Sequence, residues 1–112
     1  MTMNERPPAV TQEGPPPAAV LMQIASSAMF TQALGVAAEL AIADLIHDGR
    51  KGAEELAEST GSHPRSLYRV LRALASIGIF TETSPKIFDN TPISELLRSG
   101  TPDSMRNTAI FM

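Results

Sequence analysis

The sequence predicts a mainly α chain: a winged helix-turn-helix with a small β-hairpin wing, preceded by two apolar N-terminal helices. Three stretches carry that prediction. Residues 62–80, SHPRSLYRVLRALASIGIF, repeat apolar side chains at helical spacing between recognisable end signals. The residues before them, ELAESTG, read as a shorter helix stopped by Gly61. The residues after them, GIFTETSPKIFDNT, read as two short strands about a Ser84-Pro85 turn. Helix, tight glycine turn, helix and hairpin, in that order, make a winged helix.

Residues 1–17, MTMNERPPAVTQEGPPP, carry prolines at 7, 8, 15, 16 and 17 and no hydrophobic period. They are expected to form a flexible, partly extended arm. The folded unit is expected over 18–100. It begins with Ala18 to Ile46, whose charges are Glu39 and Asp44 alone. A glycine inside a helix costs about 1 kcal/mol relative to alanine. Gly35 therefore divides the stretch near Leu34 into helices Ala18 to Ala33 and Gly35 to Ile46. Leu21, Ile24, Ala25, Ala28 and Met29 share one face of the first. The second, GVAAELAIADLI, is apolar on nearly every side, and such a helix has to be covered on every side. A chain of 112 residues has little interior to do this. A second chain is the simplest cover. The two helices are therefore read as dimerisation helices, with Leu21, Ile24, Ala28, Val36 and Leu40 at the interface. The expected partner is a second copy, or a longer relative carrying the same surface.

Asp48-Gly49-Arg50 is a turn. In Ala53 to Thr60, Leu56 and Ala57 point inward and Glu54, Glu55 and Glu58 form a solvated face. In the long helix, Leu67, Val70, Leu71, Leu74 and Ile77 share the inner face. Ser62 or His63 can cap its start, Pro64 suits its first turn, and Gly78 is placed to end it in a left-handed conformation. PISELL, Pro92 to Leu97, reads as a short helix capped by Thr91. Residues 101–112 end on NTAIFM, apolar and without a stop signal, as the start of a linker helix that is interrupted.

Composition narrows the function classes. Hydrophobic residues are 43% and charged residues 19%, enough for a packed core. There is no cysteine, which excludes disulfides, thiolate metal sites and thiol nucleophiles and fits a reducing compartment; the cytoplasm is expected. No window approaches 18 consecutive apolar residues, so no membrane span is expected. His47 and His63 lie in different turns, without a second ligand at metal spacing. The glycines form neither a dinucleotide fingerprint nor a phosphate loop. No complete enzyme is expected in this chain, and no cofactor site. One alternative reading is a DNA-binding regulator. Arg65, Arg69 and Arg72 recur at four and three along the long helix, away from its apolar stripe, where they can reach phosphates and guanine edges. Against it stand a net charge of −3 and a wing carrying Glu82 beside a single Lys86. Nucleic acid is the weaker partner.

Four segments, IASSAMFTQALGVAAELAIADLI, AEELAESTG, LYRVLRALASIGIF and TPISELLRSG, resemble in order and spacing the N-terminal domain of S-adenosylmethionine-dependent small-molecule O-methyltransferases. The resemblance runs from about Ala18 to Met112. It implies a winged-helix dimerisation domain whose first helices intertwine with a partner subunit. In the full-length family a Rossmann-like catalytic half follows, with a glycine-rich S-adenosylmethionine loop. This sequence contains no part of that half, so the resemblance carries no catalytic or cofactor residue onto it, and the chain alone is expected to be inactive. The resemblance further implies that the first helix reaches the partner's substrate pocket, at positions matching Ser27, Met29 and Phe30.

Overall fold

The computed structural model describes residues 14–112, so the arm expected over 1–17 lies almost wholly outside the described residues. Helix α1 spans Pro17–Glu39. Proline suits this first position because its missing N–H would have no helical partner there. The expected division near Leu34 does not occur, and α1 runs unbroken through Gly35. A Cβ on Gly35 would sit 3.5 Å from the carbonyl oxygen of Ala109, so the glycine lets a later segment cross close to α1. That packing offsets the helix penalty of glycine. The break comes instead at Ala41, whose φ of 58° is left-handed, and α2 (Ile42–Leu45) follows it.

Strand β1 (Lys51–Gly52) leads directly into α3 (Ala53–Thr60). Gly61, at φ 70°, ends α3, and α4 spans Pro64–Ser76. His63 takes the capping role: its Nδ1 accepts the Ser66 N–H at 3.4 Å. Gly78, at φ 85°, follows the last turn of α4 as expected. Leu67, Leu71 and Leu74 are buried, Val70 is half-buried, and Ile77 is a correction. It sits one residue beyond the helix and is 47% exposed, because the chain turns away before its side chain reaches the core.

Strands β2 (Phe80–Ser84) and β3 (Ile87–Asn90) form the hairpin. β1 joins it to give a three-stranded antiparallel sheet in the order β1-β3-β2. β1 escaped the sequence reading because two residues show no period. Phe80 pairs with Asn90 and Glu82 with Phe88, with an irregularity before Ser84. The turn is tightened by Lys86 at φ 64°. Glu82 holds it: its Oε2 accepts the Lys86 N–H at 2.8 Å and the Tyr68 hydroxyl at 3.0 Å. That hydrogen bond raises the Tyr68 pKa above its ordinary 10.0, with desolvation and the Glu82 charge adding to it and Arg72 opposing.

The expected helix at Pro92 to Leu97 is a single 3₁₀ turn, Ser94–Leu97. Thr91 does cap it, its Oγ1 accepting the N–H groups of Ile93 and Ser94 at 3.2 and 3.3 Å. Ser94 is wholly buried and satisfied: it donates to Asn90 Oδ1 at 2.8 Å and accepts the Thr91 N–H at 2.9 Å. Helix α5 (Arg106–Ile110) packs back on α1. Arg106 donates to the carbonyls of Ala38 and Glu39 at 2.7 and 3.3 Å, supplying a cation to the C-terminal end of α1. Ile42, Ile46, Leu56, Leu71, Leu74, Phe80 and Phe88 fill one core between the helices and the sheet.

Candidate dimerisation surface

The first part of α1 stands clear of that core. No residue from Pro17 to Gln32 is buried, and burial begins at Ala33. Val20, Leu21, Met22, Ile24, Met29 and Val36 are each 38–68% exposed. Two hydroxyls on this stretch are satisfied within the helix. Ser27 donates to the Gln23 carbonyl and Thr31 to the Ser27 carbonyl, both at 2.9 Å. The rod thus offers mostly apolar surface, with Gln23, Ser26 and Gln32 as polar interruptions. At 23 residues, or about 35 Å, α1 is long and apolar enough to cross a membrane by length and composition. The expectation that no segment meets that measure is therefore corrected. It counted consecutive apolar residues and divided the helix at Gly35.

The sequence-predicted residues separate on this surface. Leu21, Ile24, Ala28 and Val36 are exposed, whereas Leu40 is half-buried and packs on its own core. Ser27 and Met29 are exposed and Phe30 is half-buried. A groove missed by the sequence reading runs between α1 and α4. Met29, Gln32, Ala33 and Val36 form one wall, and Arg69, Val70 and Ala73 the other. It continues past Val36 and Leu40 to His63 and Ser66. Val70 was expected in the core and is half-buried at the groove wall instead. The rest depends on how closely two helices approach, which periodicity does not report. A separate apolar cleft of about 150 Å³ is lined by Leu34, Ile79, Ile93, Leu96 and Met105.

Arg65, Arg69 and Arg72 are all exposed on α4, on the side away from Leu67, Leu71 and Leu74. Among the described residues, Arg98 pairs with Glu95 at 3.1 Å and His47 Nδ1 lies 3.9 Å from the same carboxylate, and none of the three arginines is paired. Arg69 borders the α1–α4 groove and Arg72 a cleft beside Thr81 and Glu82.

The profile of the O-methyltransferase dimerisation domain matches residues 22–100, which takes in α1 from Met22 onward, the sheet and the 3₁₀ turn. The chain belongs to that family. A phenazine O-methyltransferase, PhzM, of Lysobacter antibioticus is 54% identical over 111 residues, covering 99% of this chain and 31% of the relative. A 3-amino-4-hydroxybenzoate 4-O-methyltransferase of Streptomyces cremeus is 41% identical over 88 residues, covering 78% of this chain and 24% of the relative. The crystal structure of LaPhzM superposes with a TM-score of 0.80 at 55% identity, over 86% of this chain and 29% of that one. The riboflavin-type dimethyltransferase RosA of Streptomyces davawensis gives 0.78 at 36% identity, over 87% and 29%. The chain therefore spans less than a third of the length of these relatives. Membership in a dimerisation-domain family implies self-association. None of these relatives is named as a DNA-binding protein.

Proposed function

We propose that this chain is the self-association module of a small-molecule O-methyltransferase, a winged-helix domain that pairs with a second copy through α1. The carrying observation is the apolar rod of Val20, Leu21, Met22, Ile24, Met29 and Val36, left uncovered by the chain's own core. Leu21, Ile24, Ala28 and Val36 belong to the interface, and Leu40 supports it from within. A full-length relative with the same surface is an equivalent partner. Gln23 and Gln32 along α1 favour a protein partner over lipid, because each carries an amide that hydrocarbon would strand. The absence of cysteine supports a cytoplasmic setting.

Within a longer protein, the module serves methyl transfer to a hydroxylated aromatic ring. The Lysobacter relative acts, by its name, on phenazines, and that is the class to test first. Ser27, Met29 and Phe30 would then form part of the wall of the partner's substrate pocket, where a flexible Met and a Phe suit an aromatic guest. Residues 101–112 would begin the connection to the catalytic half. S-adenosylmethionine would bind there and not in residues 1–112.

Magnitudes bear on how the pair is held. Covering six half-exposed side chains in each of two copies is worth on the order of 10 kcal/mol gross. Association costs roughly 4–15 kcal/mol in lost freedom. The rod alone barely offsets this, so a stable pair needs the apolar surface beside it. Dimer formation is checked by unfolding: the thermal midpoint of the native chain should rise with chain concentration. A midpoint independent of concentration would contradict the proposal.

A further inference from the structure

The chain keeps its methionines out of its core. Met22, Met29, Met105 and Met112, all the methionines among the described residues, are 49–67% exposed, whereas the buried apolar side chains are Ala, Ile, Leu and Phe. Methionine is ordinarily one of the more buried residue types. The four fall in two pairs, each seven residues apart. Met22 and Met29 share one face of α1, about 10 Å apart along its axis. Met105 and Met112 line the apolar cleft with Ile79, Ile93 and Leu96. The uncovered rod and the cleft therefore carry two thioethers each. A soft, adaptable thioether suits a docking surface. An exposed one is also open to oxidation. The chain has no cysteine, so thioethers are the only sulfur in it.

We propose that Met22 and Met29 make self-association sensitive to hydrogen peroxide: the separated chain is oxidised at both, and the oxidised chain does not pair again. This rests on the dimerisation reading above and adds a regulatory device to it. Each sulfur takes one oxygen atom from hydrogen peroxide. The O–O bond breaks, an S–O bond forms, the thioether is oxidised by two electrons to the sulfoxide, and the peroxide is reduced to water. Burying the new oxygen in an apolar interface strands a strong acceptor. With two methionines on each of two copies, four acceptors are stranded per pair, and the dissociation constant should weaken about a thousand-fold or more. The fold is spared, because none of the four described methionines sits in the core. Pairing also protects: Met22 and Met29 are covered in the pair and open in the single chain. Peroxide should therefore reach them more slowly as chain concentration rises. Met105 and Met112, on the other surface, should react at a rate independent of concentration.

The test treats the chain with hydrogen peroxide at several chain concentrations. Peptide mass mapping follows each methionine, sedimentation velocity follows association, and circular dichroism follows the fold. The expected result is slower oxidation of Met22 and Met29 at high concentration, and a folded monomer once both are sulfoxides. Methionine sulfoxide reductases acting on both sulfoxide epimers should restore the dimer. Met22→Leu combined with Met29→Leu keeps the apolar surface and removes both sulfurs. That variant should stay dimeric in the same peroxide while Met105 and Met112 are oxidised. A native chain still dimeric with Met22 and Met29 fully oxidised overturns the proposal and leaves dimerisation standing. So does a double variant that peroxide dissociates as readily as the native chain. A chain that is monomeric before peroxide is added overturns the dimerisation reading, and the proposal with it.

Discussion

Leu21→Asp should convert the chain into a folded monomer. Leu21 is the most exposed apolar side chain on α1, at 68%, and lies in the part of the helix that touches none of the core. The substitution therefore leaves the domain's own packing intact. In a two-fold pair it acts twice. Each copy loses the burial of a leucine, about 1.5–3 kcal/mol when complete. Each also has to desolvate a carboxylate without a partner, at several kcal/mol. Counted twice, these amount to on the order of 10 kcal/mol per dimer. At about 1.4 kcal/mol per tenfold change, the dissociation constant should weaken by ten-thousand-fold or more. Sedimentation velocity reads the association state, and far-UV circular dichroism reads the fold. A dimer of undiminished affinity would place the interface elsewhere. Leu40→Asp discriminates less well, because Leu40 packs on its own core and a charge there attacks fold and interface together.

Phe88→Ala should remove a large share of the stability of the domain. Phe88 is wholly buried on the central strand β3, opposite Lys51 of β1 and Glu82 of β2. Its ring lies 6.0 Å from that of Tyr68 on α4, tilted by 58°. It therefore ties both hairpin strands and the long helix to one core. Truncating such a phenylalanine costs about 3–5 kcal/mol, against a total of roughly 5–15 kcal/mol for a domain. Urea titration should show a midpoint lowered in that proportion, and a loss below about 1 kcal/mol would mean that the sheet is not anchored as described.

The sequence was most legible where an element carries its own signals. α4 has its periodic leucines, the His63-Pro64 start and the Gly78 stop, and the hairpin has its proline turn. It was least legible where distant parts decide. Gly35 reads as a breaker until α5 is seen crossing it, and Ala41 adopts a left-handed conformation that no alanine signals locally. β1 exists only because β3 pairs with it. The surface divides the same way. Leu21 and Ile24 were visible as apolar residues in a stretch with few charges. The groove walls at Gln32, Arg69 and Ala73 were not, since two are polar and their role comes from the approach of α4 to α1.

The arginine stripe is exposed and carries no ion pair among the described residues. Of the three, Arg69 borders the α1–α4 groove and Arg72 the cleft beside Thr81 and Glu82. The net charge of −3 opposes a phosphate-driven alternative.

Sedimentation equilibrium of the unaltered chain across the micromolar range tests the central claim most directly. The chain mass is 12.0 kDa. A species of twice that mass, dissociating only on dilution, is the predicted result. A single 12.0 kDa species throughout the range would contradict the account.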